Sequence, residues 1–237
     1  MEALPHHPAR TEILATVAHE LRSPLAAIQA AVRVLDNQAA PNHKEARALI
    51  ERQVLQIARL SDDLLDAGYL ASGQPELRKE LVDLRRLINS AAEACRAQIE
   101  AGHFTVALLL PPQPVMIEVD PIRLIQVFTN LIDNATKYSE PFGMIAVTVE
   151  DASSEVSVRV VDHGIGILAD ALPRIFDLFA QTDSARARSR GGMGIGLSVV
   201  KRIVELHTGT VQAFSAGPDL GSTFTVRLPR HASAPGS

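Results

Sequence analysis

Tryptophan is absent from the 237 residues, aromatic side chains make up only 4%, and there is one cysteine, Cys95. A lone thiol cannot close an internal disulfide, which excludes the small disulfide-stapled domains of secreted proteins. Nowhere do 18 or so apolar residues run together, so no membrane-spanning helix is expected. The opening MEALPHHPAR lacks the hydrophobic core of a secretory signal, and a chain of the cytoplasm is expected. A basic excess is missing too: 23 Lys and Arg stand against 27 Asp and Glu, for a net charge of −4, which argues against nucleic acid as a partner. No internal repeat or low-complexity segment is visible. What is present is 46% hydrophobic residues, enough to bury cores in one or two domains and to exclude general disorder.

The first third reads as two long helices. Apolar residues recur at Leu14, Ala18, Leu21, Leu25, Ile28, Val32 and Leu35, alternating steps of four and three, which is a heptad seam. Pro5 and Pro8 set its start near residue 9, and the stretch Asn37 to Asn42, containing Pro41, ends it. A second helix is predicted from about His43 to Leu70, with Ile50, Val54, Ile57, Leu60 and Leu64 on one face. Such a hairpin cannot cover its own apolar stripes, so a homodimer forming a four-helix bundle is expected.

After residues 73–80, read as a linker containing Gly73 and Pro75, the pattern turns mixed. The expected elements are a helix at 84–101, strands at 104–110 and 115–118, a helix from Pro121 to Ser139, strands at 144–150 and 155–161, a helix from Leu197 to His207, and strands at 210–215 and 222–228. They make an α+β domain over residues 81–230, helices covering one face of a mixed sheet, with a frayed tail from His231. The fold class is therefore a multidomain α and α+β chain, its helical hairpin filling residues 1–72.

Three constellations carry chemistry. His19, Glu20, Leu21, Arg22, Ser23, Pro24 and Leu25 lie within the first helix. An imidazole becomes a directed nucleophile when one nitrogen donates to a carboxylate and the other lone pair stays free, and Glu20 is the nearest carboxylate. Pro24 removes a helix hydrogen bond at a cost of about 3 kcal/mol, suggesting a bend that serves a site. Second, Asn130, Asn134 and Lys137 lie opposite the apolar face of the Pro121 helix. Asparagine is a poor helix former, whereas its carboxamide oxygen is a hard ligand suited to a Mg²⁺ shared with phosphates. Third, glycines follow a strand end in VVDHGIGI and open a helix in GGMGIGL. Asp162 can accept from the exocyclic amine of adenine, Gly164 and Gly166 allow close approach to the backbone, and Gly192, Gly194 and Gly196 before Leu197 expose N–H groups to an anion.

The block ATVAHELRSPLAAI resembles the phosphoacceptor box of the sensor histidine kinases of two-component signalling. The order of asparagine helix, DHGIG and GGMGIGL resembles the ATP-binding fold those kinases share with gyrase-type topoisomerases, mismatch-repair ATPases and heat-shock chaperone ATPases. The resemblance implies phosphorylation of His19 from ATP, with Glu20 helping to take the imidazole proton, and transfer to an aspartate in a response regulator's receiver domain. It implies roles for Arg22 and Ser23 in positioning and in dephosphorylation, although Ser23 stands where Thr or Asn is more usual. It also implies Asn134 as the Mg²⁺ ligand, Asn130 and Lys137 near the phosphates, and Tyr138 near the base. Residues 175–179 are similar to the family's phenylalanine box, residues 181–190 to its lid, and residues 221–224 to its closing strand. His163 departs from the usual smaller residue. Two other readings are a conformational ATPase of the same fold, which in the family carries a glutamate where this chain has Asn130, and a catalytically silent dimeric scaffold.

Overall fold

The computed structural model describes residues 8–36, 42–71, 76–152, 154–180 and 194–230. Helices α1 (Pro8–Asp36) and α2 (His43–Ala71) form the hairpin and pack along each other. Pro24 lies inside α1 and is buried. The heptad residues divide between two surfaces. Leu21, Ile28 and Leu35 are partly buried, whereas Ala18, Leu25 and Val32 are exposed, with Leu25 at 48%. A second exposed apolar residue group is represented on α2 by Val54, at 52%. One stripe thus faces the partner helix of the same chain and another faces outward.

The remainder is a two-layer sandwich. Strand β1 (Glu80–Asp83) leads into α3 (Leu84–Ala94) and the short α4 (Arg96–Ala101); then follow β2 (Thr105–Leu109), β3 (Met116–Val119) and α5 (Pro121–Tyr138). Strands β4 (Met144–Asp151) and β5 (Glu155–Asp162), a single 3₁₀ turn (Leu172–Arg174), α6 (Gly196–Leu206), β6 (Thr210–Phe214) and β7 (Ser222–Pro229) complete it. Five strands form one sheet in the order β2-β4-β5-β7-β6; β2 runs parallel to β4 and the other pairs are antiparallel.

Two expectations need correction. The helix read across 84–101 is two helices, because the chain turns at Cys95, whose N–H reaches back to Ala91 and Ala92. Residues 80–83, read as the end of the linker and the start of the domain, form β1, which pairs with β3 in a separate two-stranded sheet. Four residues are too few for periodicity to reveal, and the partner lies far along the chain.

The sheet's inner face alternates Ile145, Val147 and Val149 on β4 with Val156, Val158 and Val160 on β5, and it is covered by α3, α5 and α6. Capping fixes where these helices begin. Asp83 accepts from the N–H groups of Arg85 and Val115 at 3.1 Å each, and the Arg85 guanidinium grips the same carboxylate, holding its pKa below the ordinary value. Asp120 caps α5 by accepting from Arg123 N–H, and it also accepts from Arg78 N–H at 3.0 Å. Finally, α2 lies against α6, and buried Leu60 joins the hydrophobic cluster of the sandwich.

His207, just beyond α6, ties that helix to α5. It is 2% exposed; Nδ1 lies 2.8 Å from Ile203 O, and Nε2 accepts from Asp120 N–H at 2.9 Å. Only the neutral Nδ1–H form satisfies both neighbours, and burial pushes the pKa below 6.5, aided by Lys79 and opposed by the Ile203 carbonyl and the Asp120 carboxylate. A depressed histidine pKa means that the unfolded chain binds the extra proton. The stabilisation is therefore complete above about 6.5 and is lost as pH falls below that value. Thermal melts at pH 7.5 and 5.5 are expected to show a smaller drop for His207→Gln than for wild type, with the variant about 1–3 kcal/mol less stable at pH 7.5. An unchanged pH slope would remove His207 from the account.

Candidate functional site

One end of the sheet opens, on its helix-covered side, into a cavity with about 600 Å³ of space, the open solvent at its mouth included. It is lined by Asn134, Tyr138, Asp162, Ile165, Gly166, Ile167, Ile175, Ala180, Leu197, Ser222 and Phe224. The lining is largely apolar with a few convergent polar groups, the pattern of small-molecule sites. Five of the residues singled out in the sequence meet here: Asn134 and Tyr138 from the end of α5, Asp162 as the last residue of β5 with Gly166 just beyond it, and Leu197 at the start of α6.

Asp162 is held rigidly. Its Oδ1 accepts from Gly164 N–H at 2.8 Å and from Ser222 N–H at 3.2 Å, and its Oδ2 accepts from the Ser222 hydroxyl. It is 6% exposed. A buried carboxylate with three donors around it keeps one orientation and can still take a further donor on its outer lone pairs. The glycines beside it are required by close backbone approach. A Cβ on Gly164 would stand 2.2 Å from the Tyr138 carbonyl oxygen, which accepts from Ile165 N–H at 3.0 Å. Gly166, at φ 65°, would bring its Cβ to 2.0 Å from Gly217 O.

The polar face of α5 is partly covered, Asn130, Asn134 and Lys137 all being half-buried. Asn130 is half-buried and its Nδ2 donates to Gly196 O at 3.4 Å, linking α5 to the glycine turn. The Lys137 ammonium lies 4.9 Å from the centre of the Tyr138 ring. At the start of α6, Ile195 occupies the N-cap and no side chain among the described residues caps the first turn, while Ser198 Oγ donates to Ile195 O. The uncapped N–H groups are the donors that an anion would use. Gly194, at φ 70°, has no room for a Cβ, which would fall 2.4 Å from Ala180 O.

Other sequence-picked residues stand apart from the cavity or outside the described residues. The side chains of His19 and Glu20 lie outside the described residues, as do Gly192 and the segment 181–193. Arg22 and Ser23 are exposed on α1. His163 is exposed, with Nδ1 3.3 Å from Met144 O. From the phenylalanine box, Ile175 lines the cavity and Phe176 meets Phe224 edge-on at 6.4 Å. Sequence reasoning passed over Ser215, whose hydroxyl joins two of the loops around the cavity. It also passed over His207, whose only signal is a histidine directly after an amphipathic helix.

A helical hairpin followed by a sandwich, with a largely apolar cavity carrying a few polar groups at one sheet end, defines a two-module chain, one module long and rod-like, the other with a pocket at its rim. Residues 9–73 match the model of the His Kinase A (phospho-acceptor) domain, and residues 119–232 match that of the histidine kinase-, DNA gyrase B- and HSP90-like ATPase. The chain is 32% identical over 225 residues to the sensor protein kinase WalK of Staphylococcus epidermidis, covering 93% of this chain and 36% of that protein. It is 36% identical over 222 residues to the probable sensor histidine kinase TcrY of Mycobacterium tuberculosis, covering 92% of this chain and 45% of that one. Among solved structures, full-length ShkA in complex with AMPPNP superposes with a TM-score of 0.68 at 29% identity, over 95% of this chain and 47% of that one. The chain belongs to the sensor histidine kinases of two-component signalling. It spans less than half the length of these curated relatives. No helix among the described residues is long and apolar enough to cross a membrane.

Proposed function

We propose that the chain is the catalytic core of an ATP-dependent protein histidine kinase of the cytoplasm, which phosphorylates His19 and passes the group to an aspartate in a response regulator's receiver domain. The observation that carries this reading is the convergence of Asn134, Tyr138, Asp162, Gly166 and Leu197, from three separate motifs, on one cavity. The AMPPNP bound by ShkA supports ATP as the ligand. Residues 1–72 act as the phosphoacceptor and dimerisation module, residues 73–79 as the linker and residues 80–230, from the start of β1, as the nucleotide module.

In this reading the adenine amine donates to Asp162, the ring packs between Ile165, Ile175 and Phe224, and the triphosphate meets the first turn of α6. Among the described residues there is no cluster of three His, Cys, Asp or Glu side chains. A single carboxamide at Asn134 therefore suits a Mg²⁺ shared with phosphate oxygens and water better than one caged by protein. When bound, that ion neutralises developing charge on the phosphates. The His19 lone pair forms the N–P bond as the bond from the γ-phosphorus to the ADP oxygen breaks, and Glu20 takes the imidazole proton. An aspartate oxygen of the receiver then displaces the imidazole, breaking the N–P bond. Asn130 donates to Gly196 O and cannot take a proton from water, which speaks against rapid hydrolysis as the main activity. The exposed stripe Ala18, Leu25 and Val32 supports pairing with a second copy into a four-helix bundle.

Incubation with γ-labelled ATP and Mg²⁺ tests the proposal. The protein is expected to acquire label that survives alkali and is lost in acid, and an added receiver domain is expected to remove it. Steady release of inorganic phosphate with no protein-bound label would instead identify a conformational ATPase.

A further inference from the structure

We propose that Ser215 is a positioning residue that sets the affinity for the nucleotide base by locking together the two loops around Asp162, an inference that rests on the ATP reading above. Ser215 lies one residue beyond the last paired positions of β6 and β7, Phe214 and Thr223. Its hydroxyl donates to Gly221 O at 2.7 Å, with Gly217 O also near at 3.2 Å. It accepts from Ile167 N–H at 3.0 Å and from Gly217 N–H at 3.3 Å. A hydroxyl has one proton and two lone pairs, so this one is fully used.

The contacts join segments that approach too closely for anything but backbone. Asp219 N–H donates to Ile165 O at 2.8 Å and Gly221 N–H to Gly164 O at 3.1 Å, and Ser215 closes this ladder through Ile167. On one side of the junction Ile165, Gly166 and Ile167 line the cavity; on the other, Gly221 leads into Ser222, which holds Asp162. A Cβ on Gly221 would lie 2.1 Å from Asp162 O, so a shift of this loop is transmitted directly to the acidic residue. Removing the hydroxyl leaves two N–H groups and a carbonyl to find other partners in a half-buried place. Among the described residues the chain of contacts ends at the base pocket and does not reach the start of α6, so the effect falls on nucleotide affinity and spares the phosphoryl-transfer step.

Titration calorimetry with AMPPNP and Mg²⁺, alongside autophosphorylation kinetics on the full chain, decides the matter. Ser215→Ala is expected to weaken binding and raise KM for ATP about tenfold while kcat stays within about threefold of wild type. Ser215→Thr, which keeps the hydroxyl, is expected to remain within about threefold in both. Ser215→Cys replaces the oxygen with a weak donor and acceptor of similar shape and is expected to weaken binding, and it carries the test together with the threonine variant if the alanine protein does not fold. Unchanged affinity in the alanine or cysteine variant, or a fall in kcat with KM unmoved, overturns the proposal. Should wild type bind no adenine nucleotide, the ATP reading itself fails and Ser215 has no such role; should wild type bind and Asp162→Asn lose binding while Ser215→Ala does not, only the role of Ser215 is lost.

Discussion

His19→Gln is expected to abolish acid-labile protein phosphorylation, a loss of at least about a thousandfold, with AMPPNP affinity unchanged within about twofold. A neutral imidazole offers an sp² lone pair in the ring plane, whereas the amide nitrogen of glutamine has delocalised its pair into the carbonyl and cannot attack phosphorus. Among the described residues the cavity is lined from between 134 and 224, far along the chain from His19, so the substitution is expected to leave it intact. Glu20→Gln is a graded version of the same experiment. Loss of a positioned proton acceptor costs about 10²- to 10⁴-fold, and the remaining label still requires His19. Label that persists on the His19→Gln protein would place the acceptor elsewhere.

Asp162→Asn is expected to weaken AMPPNP binding by on the order of 100-fold while leaving the fold in place. The carboxamide oxygen can keep the Oδ1 bonds from Gly164 and Ser222, and the Ser222 hydroxyl can turn to accept from the new amide. What changes is the other side of the group: an acceptor becomes a donor, which in the proposed pose would face the adenine amine, itself a donor. Loss of a charge-assisted hydrogen bond is worth about 1.5–3 kcal/mol, and the donor–donor clash adds to it. Calorimetric titration paired with a thermal melt separates the two effects. Wild-type affinity in the variant would show that Asp162 does not read the base.

Much of this was legible because long amphipathic segments announce themselves. Helices α1, α2, α5 and α6, and the alternation of β4, β5 and β7, fall within about two residues of their expected bounds. The glycine motifs were legible too, since the spaces beside Gly164, Gly166 and Gly194 admit no side chain. Strand β1 was hidden because its reason for existing is a partner, β3, with α3 and β2 between them. The break at Cys95 was hidden because an apolar face continues across it. Within the heptad seam, spacing identified the apolar residues but could not say that Ala18, Leu25 and Val32 turn away from α2. Asn130 read as a phosphate neighbour, while its bond to Gly196 O depends on how α5 and α6 pack. Ser215 and His207 were silent for the same reason: a single polar residue has no periodicity, and its role lies in partners distant along the chain, such as Ile167 and Asp120.

Strand β7, the last of the described strands, is an interior one, lying between β5 and β6 and supplying both Ser222 and Phe224 to the cavity. A chain emerging from the ribosome therefore has its hairpin in hand roughly 150 residues before the acidic residue of β5 gains its serine neighbour. A nascent or truncated chain that stops short of residue 222 lacks the strand that fills this gap, and with it a finished donor site. The hairpin is thus made long before the cavity in the same molecule is finished, so order of synthesis alone delays the cavity until β7 has taken its place between β5 and β6.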